Sequence, residues 1–278
     1  FGIGAYGVAI SLTRIGAGWD AVAVGVVAGL VVAIVLATVI GLFSLRVRTI
    51  FFAMITLAVA SAFAILASQL SDLTGGEDGL NYRLPAALRA SFSFGDTLFG
   101  VRLNGRLLDY YLVYAASLAL ILALLRIVNS PFGSVLMAIR ENPFRAEAIG
   151  YRTVVYRTIA SCIAAATAAL AGALLALWSS QTNPDTTLSF DIMVDILLMV
   201  VIGGMGTMYG AVIGAVLLVF AQNYLQDLLA VANKALAGVP LLANLFHPDR
   251  WLLWLGVAFI LCVYFFPAGI VGRLRQKR

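Results

Sequence analysis

Residues 21–42 read AVAVGVVAGLVVAIVLATVIGL and contain no charged side chain. An α-helix rises 1.5 Å per residue, so about 20 apolar residues are enough to cross the hydrocarbon core of a bilayer. Glycine within such a run is compatible with a membrane helix, because neighbouring helices and local adjustments keep the backbone satisfied. The stretch therefore predicts a membrane-spanning α-helix.

Further apolar segments of comparable length follow along the chain. They cover residues 50–70, 109–128, 153–179, 190–206, 208–229 and 251–270. The segment 190–206 is the shortest, and a half-helix that re-enters the membrane is an alternative for it. The chain opens Phe1-Gly2-Ile3-Gly4-Ala5-Tyr6 without an initiating Met, so residues 1–12 are interpreted as the end of an eighth crossing in a fragment with a truncated N-terminus. The predicted fold class is an all-α, polytopic membrane helical bundle of about eight crossings.

The composition of the whole chain supports this class. Of its 278 residues, 62% are hydrophobic and 11% are charged, with a mean hydropathy of +1.01. A soluble domain of this size needs a largely polar exterior, so this composition excludes one. No linker-like or repetitive tract divides the sequence, which predicts a single transmembrane domain over 1–278. Cys162 and Cys262 lie in apolar spans as packing residues, and a lone His247 predicts no metal site.

Basic residues indicate the orientation. If the spans alternate and the 129–152 loop is cytoplasmic, the inner ends hold Arg46, Arg48, Arg126, Arg140, Arg145, Arg152, Arg157, Arg273, Arg275, Lys277 and Arg278, out of 18 Lys and Arg in all. This bias satisfies the positive-inside rule and predicts a cytoplasmic C-terminus. The net charge of +5 reflects orientation in the lipid bilayer and gives no support to nucleic-acid binding.

The 129–152 loop is a charged, helix-prone island. It contains Ala138-Ile139-Arg140-Glu141-Asn142-Pro143 followed by Glu147-Ala148-Ile149-Gly150. Proline disfavours helix in the residue before it and suits a first helical turn, so a short helix is predicted to start at Pro143. Gly150 is suited to end that helix. A short helix across the membrane face, tied to spans on both sides, could transmit movement from a soluble partner; an ordinary basic inner loop is the alternative.

Two further motifs are rich in glycine. Residues 203–214 read GGMGTMYGAVIG, in which Gly203 and Gly204 allow a sharp turn while Gly206, Gly210 and Gly214 stand four apart. On a helix, that spacing predicts a flat stripe for close packing rather than a ligand site. The outer loop 71–108 contains Thr74-Gly75-Gly76-Glu77-Asp78-Gly79, where glycines and carboxylates favour tight turns. The shorter loop 180–185 has similar turn chemistry and is predicted on the same side.

Four strings together resemble one known family. The loop Arg140-Glu141-Asn142-Pro143 through Glu147-Ala148-Ile149-Gly150 looks like the segment by which permeases of ABC importers dock their ATPase subunits, in the form found in branched-chain amino-acid permeases. The generic importer pattern has two alanines after Glu and a longer gap to Gly. This chain has Glu147-Ala148-Ile149-Gly150 instead, which resembles the branched-chain form. The 203–214 hairpin, the opening Phe1-Gly2-Ile3-Gly4-Ala5-Tyr6 and the 73–80 loop agree with the same family. They point to its LivM-type member.

The resemblance implies a transport subunit rather than an enzyme, in a heteromeric importer of branched-chain amino acids or a similar small solute. Its expected partners are a second, LivH-like permease subunit, two ATPase subunits and a periplasmic substrate-binding protein. The expected location is the bacterial inner membrane. No cofactor is expected in this chain, since ATP and Mg²⁺ would be bound by the partner ATPases. The glycines of 75–79 lack the Lys-[Ser/Thr] of a phosphate-binding loop, which agrees with this expectation.

An ion- or proton-coupled secondary transporter is the alternative from another class. Such a protein normally keeps ionisable groups at mid-membrane, whereas Asp191 and Asp195 lie near the start of their span. An intramembrane hydrolase would need a nucleophile beside a base, and neither Ser161 nor Cys162 is paired with a histidine. Polar residues that could line a solute path are Thr56, Ser61, Ser68 and Gln69. Hydroxyls bonded back to their own helix are an equal alternative for Thr56 and Ser61.

Overall fold

The computed structural model describes residues 1–44, 49–89, 91–92, 104–204, 206–235, 247–265 and 269. The basic residues Arg46 and Arg48 and those of 273–278, on which part of the predicted orientation rests, lie outside these residues. The contacts of the chain divide it into two compact units, Phe1–Ser189 and Phe190–Arg278. Both units are helical, which confirms the predicted all-α membrane bundle. The single domain over 1–278 stays a prediction.

The first unit consists of long helices linked by short ones. Its elements are α1 (Gly2–Arg14), α2 (Trp19–Ser44), α3 (Thr49–Gln69), α4 (Ser71–Thr74), β1 (Leu80–Asn81), a 3₁₀ turn (Ala86–Leu88), α5 (Gly105–Val128), α6 (Pro131–Glu141), α7 (Pro143–Ala148), α8 (Thr153–Ser179), β2 (Gln181–Thr182) and α9 (Pro184–Thr187).

Helices α1, α2 and α8 form the tightly packed centre of this unit. Helix α1 approaches α8 so closely that a Cβ on Gly4 would overlap the main chain of Ala169. On the α2 side, a Cβ on Gly7 would lie 2.7 Å from the Gly25 carbonyl oxygen and 3.0 Å from the Cα of Gly29. Small residues that bring backbones together are typical of helix packing in lipid, where hydrophobic burial gives little drive for association.

The 71–108 loop and the 180–185 loop meet in a small antiparallel sheet. Leu80 pairs with Thr182 and Asn81 with Gln181. Directly after β1, the buried Tyr82 hydroxyl donates to the Ala176 carbonyl oxygen at 2.7 Å and lies 2.9 Å from Thr182 Oγ1. These contacts bind the 71–108 loop to the end of α8, although the two segments are about 100 residues apart in sequence.

The second unit contains α10 (Phe190–Gly203), α11 (Met208–Ala235), a 3₁₀ turn (Pro248–Arg250) and α12 (Trp251–Phe265). Helices α10 and α11 form an antiparallel hairpin, and α12 packs on both. Helix α10 has 14 residues and is the shortest of these three helices.

Most predicted crossings coincide with helices of the structure. Among the described residues, five stretches are long and apolar enough to span a membrane: Trp19–Leu42, Gly105–Val128, Thr153–Ser179, Pro184–Gly203 and Met208–Lys234. Met54–Gln69 and Trp251–Phe265 are shorter apolar stretches at two other predicted crossings. Residues 2–12 are helical within α1. The total of eight crossings, and the choice between a full and a re-entrant 190–206 segment, stay predictions.

Candidate functional site

The 129–152 loop folds into two short helices separated by one extended residue. Helix α6 ends at Glu141, and Asn142 has φ −153° and ψ 99°, as expected for a residue that precedes proline. The Asn142 side-chain oxygen accepts a hydrogen bond from the Arg145 backbone N–H at 3.0 Å. This N-cap starts α7 at Pro143, the position that the sequence predicts.

Helix α7 ends in a Schellman motif centred on Gly150. Gly150 has φ +101°, and its N–H donates to the Glu147 carbonyl oxygen at 2.9 Å. The Tyr151 N–H donates to the Ala146 carbonyl oxygen at 3.1 Å, which completes the pair of bonds that defines the motif. The role of Gly150 as the residue that ends the helix is therefore a conformational one, as its place in the sequence predicts.

Both short helices are fixed to the start of α8. The Thr153 hydroxyl donates to Glu147 Oε1 at 2.5 Å, and Thr153 is buried. Tyr156 stacks on Phe132 of α6 at a centroid distance of 5.7 Å and meets Tyr151 edge to face at 5.7 Å. A displacement of α7 would therefore be transmitted directly to the spanning helix α8.

The exposed side of this loop carries large apolar side chains that the sequence analysis missed. Phe144 is 81% exposed and Ile149 is 72% exposed, while Ala146 between them is buried. Arg140, Glu141, Arg145 and Glu147 surround them and are exposed, as is Ala148. Exposed apolar residues are ordinary on lipid-facing helices, but in a charged loop they indicate a docking surface. The sequence feature that could have predicted this surface is the presence of two large apolar residues, Phe144 and Ile149, within a charged segment.

The glycine-rich part of the 71–108 loop is compact. Gly75, Gly76 and Gly79 have φ of +76°, +65° and +75°, values that favour glycine. The buried Thr74 hydroxyl lies 2.5 Å from the Ala67 carbonyl oxygen and 2.7 Å from that of Leu70. The predicted tight turns are thus present.

Glu77 and Asp78 project from the tip of this turn, where both are exposed. The structure brings the tip beside the 180–185 loop, because β1 follows Gly79 directly and pairs with β2. The two loops that the sequence places on one side therefore form one surface.

In the second unit, the glycines of 203–214 hold α10 against α11. A Cβ on Gly203 would overlap the Gly210 carbonyl oxygen, and a Cβ on Gly214 would overlap that of Met199. The predicted stripe needs one correction. Gly206 has φ +136° and precedes α11, which begins at Met208, so the stripe on the helix consists of Gly210 and Gly214. Gly204, with φ +117°, forms the turn together with Gly206.

The four polar residues suggested for a solute path lie along α3. Ser61 and Gln69 are exposed, Thr56 and Ser68 are half-buried, and the Ser68 hydroxyl donates to the Ala64 carbonyl oxygen of its own helix at 3.2 Å. A neighbouring cavity of about 580 Å³ lies between α1, α2 and α3 and is lined by other residues of α3, including Phe63 and Leu66. The structure therefore does not bring the four residues into that cavity.

This cavity contains a polar group that the sequence analysis missed. The Tyr6 hydroxyl of α1 is buried and has no hydrogen-bond partner among the residues described. Tyr6 belongs to the quoted opening string, but an aromatic residue in an apolar helix gives no sign of which way its hydroxyl points. Ser11, which also lines the cavity, donates back to the Gly7 carbonyl oxygen.

The architecture defines a class, a polytopic helical membrane protein with a structured, charged 129–152 loop. A family model described as "Branched-chain amino acid transport system / permease component" matches residues 1–245, and the chain belongs to that family. It is similar to the high-affinity branched-chain amino acid transport system permease protein LivM of Salmonella typhimurium (29% identity over 221 residues) and to that of Escherichia coli (27% over 221 residues). Each alignment covers 74% of this chain and 51% of the relative.

An archaeal relative agrees with these two. The probable branched-chain amino acid transport permease protein LivM of Methanocaldococcus jannaschii is 27% identical over 252 residues, which are 87% of this chain and 68% of the relative. The chain spans about half the length of the first two relatives. No solved structure matches the chain.

Proposed function

We propose that the chain is the permease subunit of an ATP-driven importer, and that it moves branched-chain amino acids or a similar small solute across the bacterial inner membrane. The observation that carries this proposal is the 129–152 loop. Its short helix α7 is capped at both ends, hydrogen-bonded to α8 through Glu147, and presents Phe144 and Ile149 outward. This is the geometry needed to receive a soluble motor and pass its movement to a spanning helix.

The motor resides in other subunits. We propose two ATPase subunits that bind ATP and Mg²⁺, a second LivH-like permease subunit, and a periplasmic substrate-binding protein. The chain itself acts as a transport subunit and not as an enzyme. Family membership and the transport-permease names of the LivM relatives support this assignment.

The test separates docking from coupling. Glu147→Arg reverses an exposed charge at the proposed contact and should release the ATPase subunit in a salt-dependent way. Gly150→Val should leave an assembled complex that hydrolyses ATP with little solute uptake, because a β-branched residue resists φ +101° and tilts α7 relative to α8. Purified complex in proteoliposomes is scored separately for retained ATPase and for ATP-driven uptake.

Thr153→Val is the matched control for Glu147→Arg. It removes the hydrogen bond inside the loop without changing charge, so loss of ATPase in Thr153→Val as well would assign the defect to loop structure. Wild-type transport by both Glu147→Arg and Gly150→Val would overturn the importer proposal. Uptake driven by a proton gradient without any ATPase would do so in favour of a secondary transporter.

We propose that the surface made by Thr74, Gly75, Gly76, Glu77, Asp78 and Gly79 receives the loaded binding protein. The exposed carboxylates of Glu77 and Asp78 support this role. Replacing both with Lys should reduce stimulation of ATPase activity by the binding protein while basal hydrolysis persists. Unchanged stimulation would remove the role.

The membrane orientation predicted from the basic residues can be tested directly by thiol labelling. In a variant without Cys162 and Cys262, Asp78→Cys should react with an impermeant thiol reagent added outside, and Arg145→Cys should react only after the membrane is opened. The reverse pattern would contradict a cytoplasmic 129–152 loop and, with it, a cytoplasmic C-terminus. The α3 residues Thr56, Ser61, Ser68 and Gln69 are retained as a proposed path lining in the assembled complex, where α3 can meet a partner subunit.

A further inference from the structure

A polar cavity of about 490 Å³ lies beside the start of α5. Its wall includes three arginines and one carboxylate: Arg83, Arg89, Arg106 and Asp109. Asp109 is 3% exposed, and its Oδ1 has no hydrogen-bond partner within the part of the chain that the structure describes. Arg89 is held at the wall because its Nε donates to the Leu84 carbonyl oxygen at 2.8 Å.

A buried carboxylate oxygen without a hydrogen bond is costly, since it loses hydration and gains no donor in its place. Arg106 lies one helical turn before Asp109 and attracts its charge, but among the described residues it donates no hydrogen bond to Asp109 Oδ1. The cavity therefore offers one acceptor that suits an ammonium group and several guanidinium groups that suit an anion. Its chemistry fits a ligand that carries both charges.

An open apolar groove of about 780 Å³ continues from this cavity. Trp178 lines both, and the groove follows α5 from Tyr110 to Leu124 against the facing side of α8. The helix rises about 21 Å over the fourteen steps from Tyr110 to Leu124, at about 1.5 Å per residue. That exceeds the roughly 15 Å that one leaflet contributes to a hydrocarbon core of about 30 Å.

Aromatic side chains mark the junction of cavity and groove. Tyr110 lies 6.3 Å from Trp178 and 6.5 Å from Tyr114, measured between ring centroids. Tyrosine and tryptophan are enriched where a membrane protein meets the lipid headgroups. The aromatic cluster therefore favours a position of the polar cavity at headgroup level, with the groove extending from it into the apolar span.

We propose that this combined site binds an aminophospholipid. Asp109 accepts hydrogen bonds from the ammonium group, Arg106 with Arg83 contacts the phosphate, and an acyl chain lies in the groove between α5 and α8. A free amino acid also carries an ammonium group and an anion. Its side chain would occupy only the first turns of the groove, so the length of the groove favours the lipid.

The experiment uses the full-length protein with the subunits that co-purify with it. Delipidated complex is exchanged against phosphatidylethanolamine or phosphatidylcholine, and retained lipid is counted by native mass spectrometry. The quaternary ammonium of phosphatidylcholine cannot donate a hydrogen bond, so the wild type should retain phosphatidylethanolamine about tenfold better, as expected for one charge-assisted hydrogen bond. Asp109→Asn should abolish this preference, whereas Asp20→Asn, at the exposed start of α2, should keep it.

Two more variants test the other halves of the site. Arg106→Gln should lower retention of both lipids, because both carry the phosphate. Ala171→Trp, on the exposed face of α8 that lines the groove, should also lower both without changing the ratio. Thermal unfolding of each complex shows whether the variant is folded.

Several results would overturn the proposal. The first is an equal retention of the two lipids by the wild type, which needs no variant and so does not depend on folding. The second is an unchanged preference in Asp109→Asn. The third is displacement of phosphatidylethanolamine by free leucine, which would make the cavity a solute site. Loss of transport is not among the readouts, so failure here leaves the importer proposal standing.

Discussion

The 129–152 loop and the turn at 74–82 both contain the end of a short helix, but they differ in how tightly the chain packs around them. Each ends a short helix with a glycine of positive φ, Gly150 after α7 and Gly75 after α4. Around Gly150, a Cβ would meet no atom within 4 Å. At Gly79, four residues after Gly75, a Cβ would overlap the Thr182 main chain and lie 2.6 Å from the Asn183 Cβ.

The difference distinguishes a region that is closed by contacts within the chain from a region that leaves apolar side chains exposed. The turn at 74–82 is closed by contacts within the chain, including the β1–β2 pairing and the two contacts of the Tyr82 hydroxyl. The 129–152 loop is fixed at its base but leaves Phe144 and Ile149 outside any contact that would bury them. Stability should therefore depend strongly on the first region, and partner binding on the second.

Gly79→Ala should have the largest effect on stability. It adds both the cost of a positive φ for alanine and a clash with a main chain that cannot move aside, so we expect a loss of more than about 3 kcal/mol. The measurement is thermal unfolding of the purified complex in detergent. Glu77→Ala, in the same turn but exposed, is the control and should stay within about 0.5 kcal/mol of the wild type. An unfolding temperature like that of the wild type for Gly79→Ala would refute the closed turn.

Tyr82→Phe should have the next largest effect. It removes the hydroxyl that donates to the Ala176 carbonyl oxygen and leaves the buried Thr182 hydroxyl without this partner, at about 1–3 kcal/mol. Burial raises the pKa of Tyr82 in the folded protein. Because the unfolded chain then loses this proton first, the tyrosine's contribution is fully present below about pH 10 and is lost as pH rises further.

The difference in stability between wild type and Tyr82→Phe should accordingly be constant from pH 7 to about pH 9 and shrink above about pH 10. Chemical unfolding at several pH values measures it. A difference that grows with pH would contradict the buried, protonated hydroxyl.

Gly150→Ala should cost about 1–2 kcal/mol, the price of a positive φ alone, because the space around it is open. Gly150→Asn should cost less, since asparagine tolerates this conformation better. The same unfolding assay applies. If Gly150→Ala destabilised the protein as much as Gly79→Ala, the contrast between the two regions would fail.

Phe144→Ala should have the smallest effect on stability, within about 0.5 kcal/mol, because the side chain is mostly exposed. It should nevertheless lower retention of the ATPase subunit on a purification column by more than tenfold, as expected for an aromatic anchor of an interface. Leu122→Ala is the matched control, since Leu122 is 57% exposed within the span Gly105–Val128. Equal loss of ATPase from both variants would show that Phe144 is not a specific contact.

Much of the local structure could be predicted from sequence. The break at Asn142, the start of α7 at Pro143 and the end at Gly150 each depend on backbone preferences of one or two residues, which act wherever they occur. Gly206 was assigned wrongly to a helix because its spacing from Gly210 and Gly214 suits one. Its positive φ belongs to the turn before α11.

Other site features depend on residues far apart in sequence. Phe144 is exposed because α7 packs with Ala146 on its buried side, which leaves Phe144 on the exposed side. The burial of Asp109 Oδ1 without a hydrogen-bond partner among the described residues follows from the arrangement of α5 beside α8 and the 83–89 segment. Neither the composition nor the spacing around these residues distinguishes them from ordinary loop and helix-end residues.

The sequence by itself determined the class of protein, the positions of most spanning helices and the family, because long apolar runs have few ways to be satisfied in a membrane and because short motifs dictate local backbone shape. The tertiary structure decided which glycines are contact points, how Tyr82 joins loops about 100 residues apart, and which arginines line the same cavity as Asp109. These are outcomes of helix packing, in which small residues only permit close approach and the partner surface selects which approach is made.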